Sequence, residues 1–295
     1  MLELGAARGI PLPGEDAEGL AQAMVAPPGG NLPGYLTLFE TTLALLQDAE
    51  AVERVAYELA LDQHEEDVHL LEVRFGPHLL TRGGMTSREG VAAAWRGLQR
   101  ATGETGIRCG ILLCILRHRP VEEGIATTRL ALELRSEGVV GIDLAGPEAG
   151  HPPILHRRAF DLAASEELPI TIHAGEAAGA DSIRMAVEEC HARRIGHGTH
   201  LFEDPALGEL LREREVTLEF CLTSNLQTGA LRRLEEHPLR AALATRVPCT
   251  LATDNRLISG TNLLAEYALA QSTFALSTEE LGTLARQGLA ASFIA

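Results

Sequence analysis

The sequence predicts an α/β protein with parallel strands, a TIM-type (β/α)8 barrel whose first strand is missing from the chain. Three observations carry this. From residue 67 onward, seven short apolar runs alternate with amphipathic helical windows. No antiparallel hairpin signal separates them, which leaves a doubly wound sheet or a barrel. Polar residues stand at the C-terminal ends of at least four of the runs, where barrel enzymes carry their chemistry, and no GxGxxG follows the first run.

The elements read in order. Residues 1–66 are helical and loop-like: MLELGAARG, YLTLFETTLALLQ and VERVAYELALDQ are helix patterns, and PPGGNLPG (27–34) reads as a loop. The strand-like runs are VHLLEVRF (68–75), IRCGILLCILRH (107–118), VVGIDLAG (139–146), LPITIHAGE (168–176), RRIGHGTHL (193–201), VTLEFCLTSN (216–225) and VPCTLATDN (247–255). Several are apolar on both faces, as strands covered by helices are. Thr86 with Glu89 makes a capping box ahead of Val91, Ala94, Trp95 and Leu98, and Ser277 with Glu280 opens the last helix. Asp204 followed by Pro205 reads as an N-cap and first-turn proline before Leu207, Leu210 and Leu211. One barrel domain spanning residues 1–295 is the expectation.

Composition narrows the function. The net charge of −16 disfavours a nucleic-acid partner, because phosphates would be repelled. All 25 basic residues are arginine, which excludes a Schiff-base lysine, a P-loop lysine and a carboxylated-lysine metal bridge. Cys109, Cys114, Cys190, Cys221 and Cys249 form no CxxC pair, and several sit in apolar runs as small hydrophobes. With no signal peptide and no long apolar span, the expected setting is a reducing cytoplasm, with no membrane partner.

Four strand-end residues form a coherent set. His173 ends an apolar strand, where a lone histidine is more often a hydrogen-bonded core residue than a ligand. Glu176 by itself would be a solvated loop charge. His197 sits between glycines that let the backbone approach something closely. Asp254 closes an apolar run, where an unpaired carboxylate is costly unless it meets a cation. A barrel gathers all four into one pocket. An imidazole and an aspartate can hold Zn²⁺, a second histidine can orient its water, and a protonated glutamate can donate to a nitrogen, which together describes hydrolysis of a C–N bond in an aromatic amidine.

IHAGE, RIGHG, CLTSNLQTG and LATDNRLISGT, with EVRFGPHLL and GIDLAGPE before them, resemble the signature segments of the adenosine deaminase family, in order over residues 31–294. The resemblance implies a metal-dependent hydrolase barrel of the amidohydrolase superfamily that converts adenosine or deoxyadenosine and water to a 6-oxo product and ammonia. It implies one Zn²⁺ held by His173 and Asp254, with zinc-bound hydroxide attacking C6. Glu176 would protonate purine N1, His197 would hold the hydroxide, and Asp254 would also touch it. Gly146 would offer its backbone to the purine edge, and Leu32, Tyr35, Leu36 and Phe39 would pack over the nucleoside. For some of those four, an ordinary amphipathic helix is the competing explanation.

The sequence departs from the family pattern in two places. The family's first strand carries His-x-His, whose imidazoles share one face of a strand. This sequence has no such pair, and MLELGAARGIPLPG resembles the helix that follows that strand. The missing pair is therefore expected upstream of Met1, as in a truncated chain; a natural, inactive remnant is the alternative. Zinc is expected to bind this chain weakly or not at all, with slow or no turnover. Asn255 replaces a second aspartate at the purine position, and its amide can donate directly to a ring nitrogen. Adenine or a modified adenosine then becomes a credible substrate. A two-metal amidohydrolase and a non-catalytic binding protein on the same scaffold are the rival assignments, and the sequence does not specify an oligomeric state.

Overall fold

The computed structural model describes residues 1–294. Each of the seven apolar runs forms a strand shorter than the run itself: β1 Leu70–Phe75, β2 Arg108–Leu116, β3 Val139–Ala145, β4 Thr171–Ala174, β5 Arg194–His197, β6 Thr217–Phe220 and β7 Cys249–Leu251. All pair in parallel, in the ladders β1-β2-β3 and β4-β5-β6-β7. A bridge between Ile142 and Ile170 joins the two. Sequential parallel strands need a crossover each, and helices supply it. The curve therefore runs from β1 round to β7, and no ladder among the described residues joins β7 to β1. β1 is correspondingly half-buried along its whole length, while the interior of β2 is buried throughout.

Before β1 come five helices, α1 Leu2–Arg8, α2 Ala17–Met24, α3 Leu32–Thr37, α4 Phe39–Leu45 and α5 Ala49–Glu65, as the first 66 residues predict. The segment read as a loop at 27–34 is a loop only in its first half. Asn31 accepts from Gly34 N at 2.9 Å and starts α3, with Pro33 in its first turn. Later helices are α6 Ser87–Thr105, α7 Val121–Glu133, α8 Arg157–Ser165, α9 Ala180–Glu188, α10 Leu207–Glu213, α11 Leu222–Gln227, α12 Leu239–Ala244, α13 Arg256–Ser259, α14 Leu263–Phe274 and α15 Thr278–Ala291. The capping boxes of α6 and α15 are both present.

Two further sequence expectations need correction. Asp204 does not cap α10, which starts behind Ala206. Its carboxylate instead binds Arg184 and the nearer Ala206 N–H, at 3.0 Å, so the turn is tightened two residues early. The run VTLEFCLTSN stops being a strand at Phe220; LTSN belongs to α11, because the helical turn lets Ser224 and Asn225 reach two different strand ends.

The largest apolar core lies between strands and helices. Inside the strand layer, by contrast, charges alternate. Arg194 reaches Glu72 at 2.6 Å and Glu219 at 3.1 Å; Arg74 reaches Glu219 at 3.1 Å and Asp143 at 3.5 Å. Thr171 adds a hydroxyl to Glu219 at 3.1 Å. The segment after α15 closes the end where the strands begin. Ser292 and Phe293 N donate to Glu72 at 2.8 and 2.6 Å, and Arg194 lies 3.6 Å above the Phe293 ring.

This ion chain gives stability a pH dependence. Burial alone would raise the Glu219 carboxyl, but Arg74 and Arg194 outweigh it and bring it from 4.5 down to about 2. A folded-state value below the unfolded one stabilises fully above pH 4.5, and that contribution is lost as pH falls toward 2. Thermal unfolding followed from pH 6 to pH 2 should therefore show the midpoint dropping through this window. Arg194→Met takes the shared cation from both Glu72 and Glu219, leaving Glu219 to Arg74 and Thr171 and Glu72 to the Ser292–Phe293 turn, and should cost roughly 3 kcal/mol, read by chemical denaturation.

Candidate active site

The strand ends of β4, β5 and β7 carry the predicted residues. His173, next to last in β4, sits in a crowded place: a Cβ on Gly196 of β5 would lie 3.4 Å from the His173 ring. The glycine before His197 is thus spent on housing His173. Asp143 of β3, fully buried, meets His173 Nδ1 at 3.0 Å, leaving Nε2 as the free ring nitrogen. Burial alone would raise the Asp143 carboxyl, but His173 and Arg74 hold it below the usual carboxylate range. Burial pulls His173 down, yet Asp143, helped by Asp254, leaves it net raised.

His197 ends β5 with φ 67°, and Asp254 follows β7 with φ 54°. Both are left-handed, a conformation non-glycine residues adopt at a cost of about 1–3 kcal/mol, held here by partners. Asn225 bonds His197 Nδ1 at 3.0 Å, and Ser224 donates to Asp254 at 2.7 Å. The His173 and His197 rings stand 5.1 Å apart. Glu176 is buried, with one oxygen 3.6 Å from His197 Nε2 and the other without any partner. A buried acid with an empty oxygen is poised for a ligand. Beside it a cleft of about 290 Å³ opens between residues 176–179, Glu203 and Gly229.

The loop that aims Glu176 is held by Glu148. Its carboxylate accepts from four consecutive backbone N–H groups, Gly175 at 2.8, Glu176 at 3.0, Ala177 at 2.6 and Ala178 at 3.0 Å, and from the Ser182 hydroxyl at 2.6 Å. Burial would raise this carboxyl, but Arg117, Ser182 and the N–H groups lower it on balance. Arg117 also grips the His173 carbonyl, so both sides of the IHAGE segment are tied down.

The remaining predicted residues have the following surroundings. Gly146 has φ 100°, and a Cβ there would lie 3.3 Å from His118 Nδ1, so glycine is required. Asn255 uses Oδ1 to cap α13 at Ile258 N, 2.9 Å, which turns its NH2 away from the helix. Tyr35 is buried against Ile258 and 2.8 Å from Ser259 Oγ; burial, then Asp254, push its phenol up. Phe39 packs edge-on at 6.0 Å from the Tyr35 ring, Leu32 is buried and Leu36 half-buried.

Metal ligation is a separate matter. Among the described residues no three His, Cys, Asp or Glu side chains converge on a point that could hold an ion. His173 and Asp254, the two ligands the family resemblance implies, would make only two, and zinc takes three or four protein donors. The residues described do not by themselves fit a zinc site.

Sequence reasoning missed Asp143, Glu148 and His237. Asp143 had a signal, an acid inside the apolar run VVGIDLAG. Glu148 and His237 lie in loops, where a carboxylate or imidazole is ordinarily solvated, and only the fold buries them.

A sequential parallel barrel with an acid, two imidazoles and an aspartate at its strand ends defines a hydrolase of the amidohydrolase superfamily. Residues 1–295 match the family model for adenosine deaminase, and the chain belongs to that family. It is 35% identical over 294 residues to an adenosine deaminase of Clostridium acetobutylicum, covering 99% of this chain and 88% of the relative. Among solved structures, adenine deaminase from Arthrobacter aurescens superposes with a TM-score of 0.89 at 25% identity, covering 99% of this chain and 88% of that one. The N6-mAMP deaminase of Arabidopsis gives 0.86 at 29% identity, with the same coverage.

Glu148→Ala removes the acceptor of five hydrogen bonds at once, counting the four N–H groups and Ser182. The expected result is a loss of roughly 3 kcal/mol or more in stability, with amide exchange at residues 175–178 speeding up more than in the strands.

Proposed function

We propose that this protein hydrolyses the exocyclic amine of a 6-aminopurine nucleoside, adenosine or deoxyadenosine, releasing ammonia and the 6-oxo purine. One observation carries the reading: Glu176 is buried beside His197 with an oxygen that nothing in the protein satisfies. Such an acid suits purine N1, a nitrogen that must gain a proton before C6 accepts an oxygen nucleophile. Glu176 protonates N1, water adds to C6, the amine leaves as ammonia with one of the water's two protons, and the other restores the Glu176 acid, so that adenosine and water balance inosine and ammonia.

The water is oriented from two sides, by an N–H of His197 and by the Asp254 oxygen that Ser224 leaves unused. Gly146 offers its backbone to the purine edge. Asn255, its oxygen committed to α13, presents NH2 to purine N7, and Tyr35, Leu36 and Phe39 with Leu32 behind them form the wall over the nucleoside. His173 and Asp254 are the ligands this chain would contribute to a zinc ion. Five free, buried cysteines support a reducing cytoplasm as the setting. No helix among the described residues is long and apolar enough to cross a membrane. Residues 1–295 are taken to act as one barrel domain.

An amide at Asn255 and the deaminases of adenine and N6-mAMP among similar structures support a second reading, in which adenine or a modified adenosine is preferred. Ammonia release from adenosine, deoxyadenosine, adenine and N6-methyladenylate separates the two. The purified chain should retain well under one zinc per molecule by elemental analysis, turn over its best substrate slowly, and lose that turnover in Glu176→Gln. Stoichiometric zinc would refute the ligand count. Neither ammonia release nor purine binding with any of the four would remove the deaminase reading.

A further inference from the structure

His237 lies forty residues beyond His197 in the chain, in a stretch where no local pattern marks it. The structure buries it between Phe220, 4.6 Å between centroids, and Phe274, 6.3 Å. Its hydrogen bonds run in one direction. The backbone N–H of Leu239 donates to His237 Nδ1 at 3.1 Å. A ring nitrogen that accepts carries no proton, so the neutral ring keeps its proton on Nε2. That nitrogen lies 3.3 Å from Asn225 Oδ1 and donates to it. The amide oxygen of Asn225 therefore faces His237, and its NH2 faces His197, donating to Nδ1 at 3.0 Å. His197 is left with its proton on Nε2, the nitrogen on the Glu176 side.

Each link is fixed by something outside it. Leu239 N belongs to the start of α12 and cannot accept. His237, Asn225 and His197 are all buried, so water is a poor substitute for any member. Burial, then the neighbouring His197, pushes His237 down to about 3, which keeps it neutral and the direction of the chain unchanged. A histidine satisfied only for packing would need no such direction, and either tautomer of His197 would serve.

We infer that His237 is a positioning residue that sets, through Asn225, which ring nitrogen of His197 carries the proton. It rests on the proposed role of His197: with Nε2–H pointing into the site, His197 donates to the attacking water's oxygen and does not take its proton.

The test is nitrogen NMR of the histidine rings in the uniformly labelled 295-residue chain, the His197 signals being assigned by their loss in His197→Gln. In the parent, Nε2 should be protonated and Nδ1 bare. His237→Phe fills the slot between Phe220 and Phe274 but cannot donate, so the Asn225 amide is free to turn and the Nε2–H population should fall. His237→Gln, which keeps a donor for Asn225 and an acceptor for Leu239, should restore it. Asn225→Asp presents only acceptors and should put a proton on Nδ1. A His197 already protonated on Nδ1 in the parent overturns the inference. So does a folded His237→Phe with the parent tautomer, and should that variant fail to fold, Asn225→Asp with Nδ1 still bare does the same. The proposed reaction fails separately: if His197→Gln leaves ammonia release untouched, its role at the water is gone while the tautomer result stands.

Discussion

A carboxylate taken out of water must be met by a cation or by donated hydrogen bonds, and this barrel buries several. Asp143 is met by His173, Arg74 and the Cys114 thiol; Glu219 by Arg74, Arg194 and Thr171; Glu72 by Arg194 and the Ser292–Phe293 turn. Glu148 is met by a run of backbone amides, and Glu266 by Thr223 and Thr261. Each partner is brought from a different strand or loop. The requirement that no buried charge be left alone therefore fixes how the strand ends face one another, and with them the site.

The same requirement explains why the site has rigid surroundings and one open position. Ser224 and Asn225, adjacent in α11, hold Asp254 and His197 in left-handed conformations that neither would keep in isolation. Glu148 and Arg117 grip the IHAGE segment from its amide and carbonyl sides. Beside His197, one Glu176 oxygen is left without a partner from the protein.

The metal question separates two halves of the chemistry. Glu176 lies beside His197 and the His173 and His197 rings stand together, whereas among the described residues no three ligand side chains converge to hold an ion. Strand β1 exposes a half-buried face along its whole length beside an unpaired edge, so the ligand shortage and the unpaired seam occur in one molecule.

Much of this was legible in the linear sequence. Seven apolar runs, two capping boxes and the polar strand ends follow from local periodicity and capping chemistry, which depend on residues a few positions apart. The residues of IHAGE, RIGHG and LATDN could be singled out because small residues and lone polar groups in apolar runs are locally anomalous. What the sequence could not reveal is pairing across distance. That Gly196 makes room for His173, that Glu148 collects the amides of 175–178, and that His237 reaches His197 through Asn225 depend on loops far apart in the chain. Local pattern determines which face of a strand is apolar, but only tertiary burial removes water from a loop carboxylate or imidazole and so decides which partner it must find.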